Sequence, residues 1–309
     1  MAQILVSGLI NIETTLQVDA FPVTYAPVRY PFWGVRSTVS GVGYNVAKAL
    51  TTLGDDLRFL SLIGTDALGS VVQQALAASY IPRAEVLPRL RETAQSVIIY
   101  NREGERMIHV DLKDIQEQAY PPERFAAALK QCNLAVLCNV NWNRPFLQHA
   151  QQVGVPIATD VHTISDLDDP YNSDFMAAAD ILFMSDERLP CTPEEWVQRL
   201  QNRYGVPLIV IGLGSQGALL AVKDDHFVER IPAVKTRPVI NTIGAGDALF
   251  SAFNHVYLHT GNPYQAIRHA TVFAAYKIGT TGAAEGFLTA LELAQAVGET
   301  TGAAPPNPA

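Results

Sequence analysis

The stretch NTIGAGDALFSAF, residues 241–253, sets two glycines, an alanine and an aspartate in front of an apolar run. Leu249 and Phe253 have the spacing of one helix face, and Gly261 is placed to end that helix. The pattern therefore predicts a helix whose N-terminus is formed by residues 244–247. Free backbone N–H groups and the helix dipole favour an anion at such an end.

This segment has two interpretations. In the first, Gly244, Ala245 and Gly246 leave room for a phosphate beside their N–H groups, and Asp247 accepts a proton from an attacking hydroxyl. In the second, Asp247 stabilises the start of the helix through the dipole. A carboxylate beside a phosphate is unfavourable unless it acts as a base. Taken alone, the segment leaves both interpretations open.

Around this segment, short apolar runs such as QILVSGL, LAVLCNV and ILFMS alternate with helical patterns such as NVAKALTTLG. The alternation predicts an α/β fold with a mostly parallel central sheet sandwiched by helices. Residues 13–36 and 93–112 interrupt it, the second as a hairpin around Gly104. These two stretches form either a small β-sheet lid over one edge or separate surface hairpins. We expect one domain, residues 1–309, with a core of residues 1–12, 37–92 and 113–302, lid segments 13–36 and 93–112, and a disordered tail at 303–309.

The composition excludes several classes of protein. The 309 residues are 48% hydrophobic and 17% charged, a globular balance, and the formal net charge of -8 disfavours binding of nucleic acid or an anionic membrane. The three cysteines form no CxxC pair and are expected to be reduced thiols. MAQILVSGLI is expected to be a first strand, not a signal peptide, and no run reaches the roughly 20 apolar residues of a membrane span. A soluble, cytoplasmic protein is predicted.

Two further glycine-rich stretches bear on function. GLGSQG, residues 212–217, matches a dinucleotide-binding pattern, but ALLAV follows it as a second strand where that motif requires a helix. We therefore expect GLGSQG to be either a hairpin turn or a stretch of backbone that approaches a nucleotide closely. SGVGYNVAKAL, residues 40–50, is either a substrate loop that offers Asn45 to a hydroxyl-rich ligand or a glycine-marked loop with a polar cap. His162, after a strand end, is the one histidine kept as a site candidate.

Together these segments resemble the ribokinase-like carbohydrate kinases of the PfkB family over almost the whole chain. ILVSGLINIE resembles the first strand and substrate loop, and SGVGYNVA is similar to the signature GGxGxNxA. IGTDALG resembles the GxDxxG segment, and NTIGAGDALFSAF is similar to DTxGAGD and its helix. Because the two signatures stand in the correct order and far apart, the resemblance is specific.

The resemblance implies transfer of the ATP γ-phosphoryl group to a hydroxyl of a sugar. It implies Asp247 as catalytic base, an anion hole of Gly244, Ala245 and Gly246, substrate contacts from Asn11, Glu13, Gly41, Gly43 and Asn45, and nucleotide contacts from Gly214, Gly217 and Thr242. It also implies a homodimer through the lid.

Two alternatives stay open. A nucleoside kinase of the same fold could stack a base on the aromatic segment Tyr25–Trp33, and a ligand-binding member of the family would lack catalysis.

Several positions depart from the family pattern. Glu13 stands where many sugar kinases have an aspartate, and Ser40 replaces the first signature glycine. Asp186 and Glu187 are the candidate Mg²⁺ ligands, because the family's NxxE motif appears here as residues 185–188, SDER. Asn241 replaces the leading aspartate of DTxGAGD and removes a negative charge, so the sequence leaves open whether a monovalent cation such as K⁺ is required.

Overall fold

The structure, a computed structural model, describes residues 3–300. Its strands within that range are β1 (Gln3–Ser7), β2 (Asn11–Gln17), β3 (Val35–Ser40), β4 (Asp56–Gly64), β5 (Val86–Leu90), β6 (Gln95–Tyr100), β7 (Arg106–Asp111), β8 (Leu134–Leu137), β9 (Ile157–Thr163), β10 (Ile181–Ser185), β11 (Leu208–Gly212), β12 (Ala218–Val222) and β13 (Phe227–Ile231). Its α-helices are α1 (Val42–Leu53), α2 (Ala67–Ala78), α3 (Pro122–Leu129), α4 (Arg144–Gln152), α5 (Ser173–Ala178), α6 (Pro193–Tyr204), α7 (Ala245–Thr260), α8 (Pro263–Lys277) and α9 (Ala290–Thr300).

The larger sheet has the order β13-β12-β11-β10-β9-β8-β1-β4-β5. Its strands from β5 to β11 pair in parallel, and β12 and β13 add an antiparallel edge. Helices bury both faces, so alternate residues of a strand enter different cores. In β1, Ile4 and Val6 face the layer of α1, α7 and α8, and Leu5 faces the layer of α3, α4 and α6. The predicted mostly parallel α/β sandwich is confirmed.

The two stretches that interrupt the alternation join in one small sheet of order β3-β2-β6-β7. Strand β2 pairs antiparallel with β3 and parallel with β6, and β6 and β7 form the predicted hairpin. We call this sheet the lid. The lid prediction is therefore confirmed over the alternative of separate surface hairpins. The division into core and lid at residues 13–36 and 93–112 stays a prediction, and the tail at 303–309 lies outside the described residues.

The turn at GLGSQG joins two antiparallel strands. Residues 214–216 form a single 3₁₀ turn between β11 and β12, so no α-helix follows the first strand. The prediction that a second strand, and not a helix, follows this turn is confirmed. All three cysteines are free thiols. Within residues 3–300, no helix is both long and apolar enough to cross a bilayer.

Candidate active site

The site is built where the starts of α1 and α7 meet. Asn45 lies in the first turn of α1 and Asp247 in the first turn of α7. The Asn45 Nδ2 atom donates a hydrogen bond of 2.7 Å to the Asp247 Oδ2 atom. The two glycine-rich signatures, far apart in the chain, therefore share one hydrogen bond.

The two glycines at the start of α7 serve different structural purposes. Gly244 is the N-cap, its φ of 77° is left-handed, and an added side chain would also collide with the backbone of Ala283. Gly246 is exposed, and a Cβ built there meets no atom of residues 3–300 within 4 Å. The fold requires Gly244, whereas Gly246 leaves open space in front of the helix N-terminus.

A hydrogen-bonded chain runs from the lid into this site. The Ser40 hydroxyl, at the end of β3, lies 2.9 Å from the Glu13 Oε2 atom and 3.3 Å from the Asn45 Oδ1 atom. All three side chains are buried. The two departures from the family pattern, Glu13 and Ser40, are thus partners, because the serine hydroxyl donates to the longer carboxylate.

Two buried oxygens in this region lack a partner. Asn11 donates from Nδ2 to the Ser96 hydroxyl at 3.0 Å, but its Oδ1 atom and the Glu13 Oε1 atom accept no hydrogen bond from the part of the chain that the structure describes. We call these two oxygens the open acceptors. Buried acceptors are normally satisfied, so each of these oxygens is a candidate acceptor for a hydroxyl group of a ligand or for a water molecule.

Lys277, at the end of α8, is a site residue that the sequence reading missed. Its side chain is fully buried, and the Nζ atom has no hydrogen-bond partner among the described residues. Burial lowers the pKa of this ammonium from 10.5 to about 8, against the nearby carboxylates of Glu13, Asp247 and Glu285. A lysine at the end of an amphipathic helix carries no sequence signal of this role, because only the packing of α8 turns it inward.

Burial also raises the pKa of both carboxyls. Desolvation raises the pKa of Asp247, and the Asn45 hydrogen bond and the charges of His162 and Lys277 oppose that rise. Desolvation likewise raises the pKa of Glu13, opposed mainly by the Ser40 hydroxyl. Asp247 is thus a carboxylate whose proton affinity is raised, as a general base requires.

Two lid arginines reach the C-terminal half of the chain. Arg106 in β7 donates to the Thr242 hydroxyl at 2.6 Å and to the Glu187 carboxylate at 3.1 Å. Arg36 in β3 donates to the Glu285 carboxylate at 2.7 Å and to the Thr281 hydroxyl. Both outer strands of the lid sheet, β3 and β7, are therefore tied to the C-terminal half of the chain. Neither arginine was singled out from the sequence, since their partners are distant in the chain.

The nucleotide-side candidates lie at the carboxyl ends of neighbouring strands. Asp186 and Glu187 follow β10, and Gly214 and Gly217 belong to the turn after β11. The Asp186 N–H group donates to the Gly212 carbonyl oxygen at 3.1 Å, which ties the two segments together. In open α/β sheets, ligands bind at this edge.

Asn241 closes the loop before α7 with its own amide. Its Nδ2 atom donates to the Thr281 carbonyl oxygen at 2.7 Å, and its Oδ1 atom accepts from the Ile243 N–H group at 3.1 Å. The His162 N–H group donates to the Asp160 carboxylate at 2.8 Å. In the segment Asn141–Arg144, both Trp142 and Asn143 are buried and hydrogen-bond to Ser7, so these two residues support the fold.

The match to known proteins covers most of the chain. A family model described as pfkB family carbohydrate kinase matches residues 1–290. The chain belongs to this family. It is a kinase of the sugar or nucleoside class.

Named relatives of this kinase cover nearly the whole chain. The acarbose 7(IV)-phosphotransferase of Actinoplanes sp. is 26% identical over 278 residues, 88% of this chain and 91% of that protein. The ATP-dependent ribose-1-phosphate kinase of Halopiger xanaduensis is 25% identical over 292 residues, 92% and 94% of the two chains. Among solved structures, the microbiome-derived acarbose kinase Mak1 is 26% identical, with a TM-score of 0.83 over 96% of this chain and 98% of its own.

The buried ammonium gives a prediction about the pH dependence of folding. The folded kinase releases the Lys277 proton near pH 8, whereas the unfolded chain holds it up to about pH 10.5. The free energy of unfolding should therefore rise across this range, because the unfolded state binds more protons. Lys277→Met keeps the length of the side chain and should be more stable than the wild type at pH 7 by up to about 3 kcal/mol. This advantage should shrink towards pH 10.

Urea unfolding of both proteins at several pH values measures this difference. Lys235→Met changes an exposed lysine in the same way and serves as the control. A difference between wild type and Lys277→Met that stays constant with pH would contradict the description of a buried, charged lysine.

Proposed function

We propose that this protein transfers the γ-phosphoryl group of ATP to a hydroxyl of a neutral sugar. The observation that carries the proposal is the hydrogen bond from Asn45 to the half-buried Asp247 carboxylate, in front of a helix N-terminus with open space at Gly246. A base and an anion site then lie side by side, as in-line phosphoryl transfer requires.

The roles follow from this geometry. Asp247 takes the proton from the attacking hydroxyl, and the backbone N–H groups of Gly244 and Gly246 stabilise the charge that develops on the transferred phosphoryl group. The Ala245 N–H group, also expected in the anion hole, donates instead to the Thr242 carbonyl oxygen at 3.2 Å. Asn45 orients the Asp247 carboxylate by its hydrogen bond. Lys277 contributes a positive charge that favours the ionised form of both Asp247 and Glu13.

The acceptor proposed is a neutral, hydroxyl-rich molecule. The open acceptors at Asn11 and Glu13 suit two hydroxyl groups, which donate to them, and a buried carboxylate disfavours an anionic substrate. Gly41 and Gly43 are required by close packing within the chain, because a Cβ at Gly41 would lie 2.6 Å from the Leu9 carbonyl oxygen and one at Gly43 would lie 2.5 Å from the Gly8 backbone. The similarity to two acarbose-phosphorylating enzymes supports a saccharide acceptor.

On the nucleotide side, we assign Gly214, Gly217 and Thr242 to ATP and Asp186 and Glu187 to Mg²⁺. The donor set fits, because carboxylate oxygens suit this ion, and burial together with the neighbouring Glu187 raises the pKa of Asp186, a condition that a cation relieves. The ion would neutralise phosphate charge when bound. Arg106 bridges Thr242 and Glu187, so lid closure and nucleotide binding act on the same groups and exclude water from the transfer.

Replacement of the base tests the proposal directly. Asp247→Asn keeps an oxygen that accepts the Asn45 hydrogen bond but cannot take a proton. Turnover should fall by about 10²–10⁴-fold, while calorimetry should find ATP binding largely retained. Asp224→Asn, in the exposed turn between β12 and β13, is the matched control. Near-normal turnover of Asp247→Asn would remove the assignment of the base.

Gly246→Ala tests the anion hole separately from folding. The added methyl group meets no atom within 4 Å in residues 3–300, and alanine favours a helix, so stability should be unchanged or higher. The same methyl group occupies the space assigned to phosphate, so kcat/KM for ATP should fall at least about tenfold. The control is Gly298→Ala on α9, which is also exposed and uncrowded. Unchanged kinetics would place the phosphate elsewhere.

We propose further that K⁺ is not required. The Asn241 amide holds the loop before α7 to Thr281 through a hydrogen bond, and it brings no negative charge to attract a cation. Replacing potassium by tetramethylammonium in the assay at constant ionic strength should leave kcat unchanged. A loss of activity that potassium restores would show that an ion supports this loop.

One observation favours a nucleoside acceptor as the second candidate. The segment Tyr25–Trp33 is exposed, with Phe32 and Trp33 almost fully accessible and the rings of Tyr30 and Phe32 stacked at 6.4 Å. Such rings can stack on a base.

The exposed apolar side chains of the lid support a homodimer through this sheet. Met107, Ile108 and other apolar side chains of β7 are half-exposed, as the aromatic segment is. Light scattering that gives a monomer mass would exclude that dimer.

A further inference from the structure

A polar cluster lies at the far end of α7, away from the active site. His255 and His259 stand one turn apart on this helix, and Asp55 follows the Gly54 cap of α1. His255 lies eight residues after Asp247 on α7, about 12 Å further along the helix axis. The cluster has no part in the proposed phosphoryl transfer.

The three side chains converge on one point. The His255 Nδ1 atom lies 2.9 Å from Asp55 Oδ2, and the His259 Nε2 atom lies 2.9 Å from Asp55 Oδ1. One nitrogen from each ring and a carboxylate oxygen all lie within 4.8 Å of one another, the arrangement of a three-ligand metal site. The Asp55 N–H group is bonded to the Leu50 carbonyl oxygen at 3.0 Å, so the carboxylate is presented from an ordered turn.

The charge of Asp55 makes this cluster unusual. Its carboxylate is fully buried, and in the described chain its ion-pair partners are the two imidazoles, with no lysine or arginine among them. Two neutral imidazoles can each donate one N–H group but leave the negative charge uncompensated. A buried charge is costly unless it is paired or bound to a metal.

We propose that Asp55, His255 and His259 bind one divalent transition-metal ion, and Zn²⁺ is the ion whose preferences fit best. Imidazole nitrogen and carboxylate oxygen bind Zn²⁺ at about 2.0–2.2 Å in a tetrahedron, in which ligand atoms lie about 3.3 Å apart. The three candidate ligand atoms lie within 4.8 Å of one another, so they must draw closer together when the ion binds. The side chain of His259 is 43% exposed, which gives the ion an entrance and leaves a fourth position for water.

Such an ion would join α7 to the turn between α1 and β4. Both helices start at the active site and end at this cluster, so the metal would fix their far ends as the contact of Asn45 with Asp247 fixes their near ends. Its effect is therefore expected on stability and not on the chemical step.

The test is Zn²⁺ binding to the full chain with no affinity tag, after treatment with a chelator. Calorimetry should find one Zn²⁺ ion bound per chain through this site, and the thermal midpoint should rise by several degrees with Zn²⁺ but not with Mg²⁺. His259→Gln keeps an N–H donor for Asp55 but removes a zinc ligand. Replacing a residue that only hydrogen-bonds to a metal ligand typically lowers metal affinity by about 10–100-fold. Loss of a direct ligand should therefore lower the zinc affinity of this variant at least tenfold and abolish the thermal shift.

His226→Asn is the control, because His226 is exposed, lies outside the cluster and has a left-handed φ of 52° that asparagine tolerates. It should bind Zn²⁺ as the wild type does. Absence of zinc binding to the wild type, or equal affinity in His259→Gln, would overturn the proposal and leave Asp55 as an acceptor of two imidazole hydrogen bonds. Stability of the metal-free His259→Gln protein, measured in urea, shows whether the variant folds.

Discussion

The hydrogen bond from Asn45 to Asp247 is the contact on which the rest of the site depends. It joins the first turns of α1 and α7, and each turn begins at a glycine that the backbone there requires. Because both helices pack on the same face of the sheet, their N-termini are held at one edge. The Asp247 carboxylate is thereby kept in the first turn of α7, where burial raises its pKa and the Asn45 amide donates to it. We propose that Asp247 acts there as a base beside an anion site, and the Asn45 amide supports this arrangement by joining the starts of both helices.

The substrate side obeys a second constraint, the compensation of buried charge. The Glu13 side chain is longer than the aspartate that many sugar kinases of this family have at this position. Ser40, which replaces a signature glycine, donates a hydrogen bond from its hydroxyl to the Glu13 carboxylate. The buried positive charge of Lys277 lowers the stability of the fold. Because Lys277 lies near Glu13 and Asp247, the same charge favours the ionised form of these two carboxyl groups. Proteins often store such unfavourable groups where they bind ligands. The pair of Glu13 and Ser40 is accordingly the part of the pocket that we expect to distinguish this kinase's acceptor.

Much of the fold and part of the site could be predicted from the sequence. Apolar periodicity and glycine punctuation gave the alternation of strands and helices, the hairpin at 93–112 and the start of α7, because these depend on neighbouring residues. The two signatures identified Asn45 and Asp247 separately as site candidates, and the hydrogen bond between them is a finding of the structure. The inward side chain of Lys277, the lid contacts of Arg36 and Arg106 and the cluster around Asp55 depend on packing between distant segments. A single sequence contains no local signal for such contacts.

The central claim, phosphoryl transfer to a neutral sugar, is tested most directly by following the γ-phosphoryl group of ATP with magnesium and a panel of acceptors. The panel should contain neutral mono- and oligosaccharides, sugar phosphates and nucleosides, with phosphorus NMR to detect the new phosphate ester. We expect esters of one or more neutral sugars and little hydrolysis of ATP without an acceptor. Esters formed only on nucleosides would contradict the assigned acceptor, and no ester on any member of a broad panel would contradict a catalytic role.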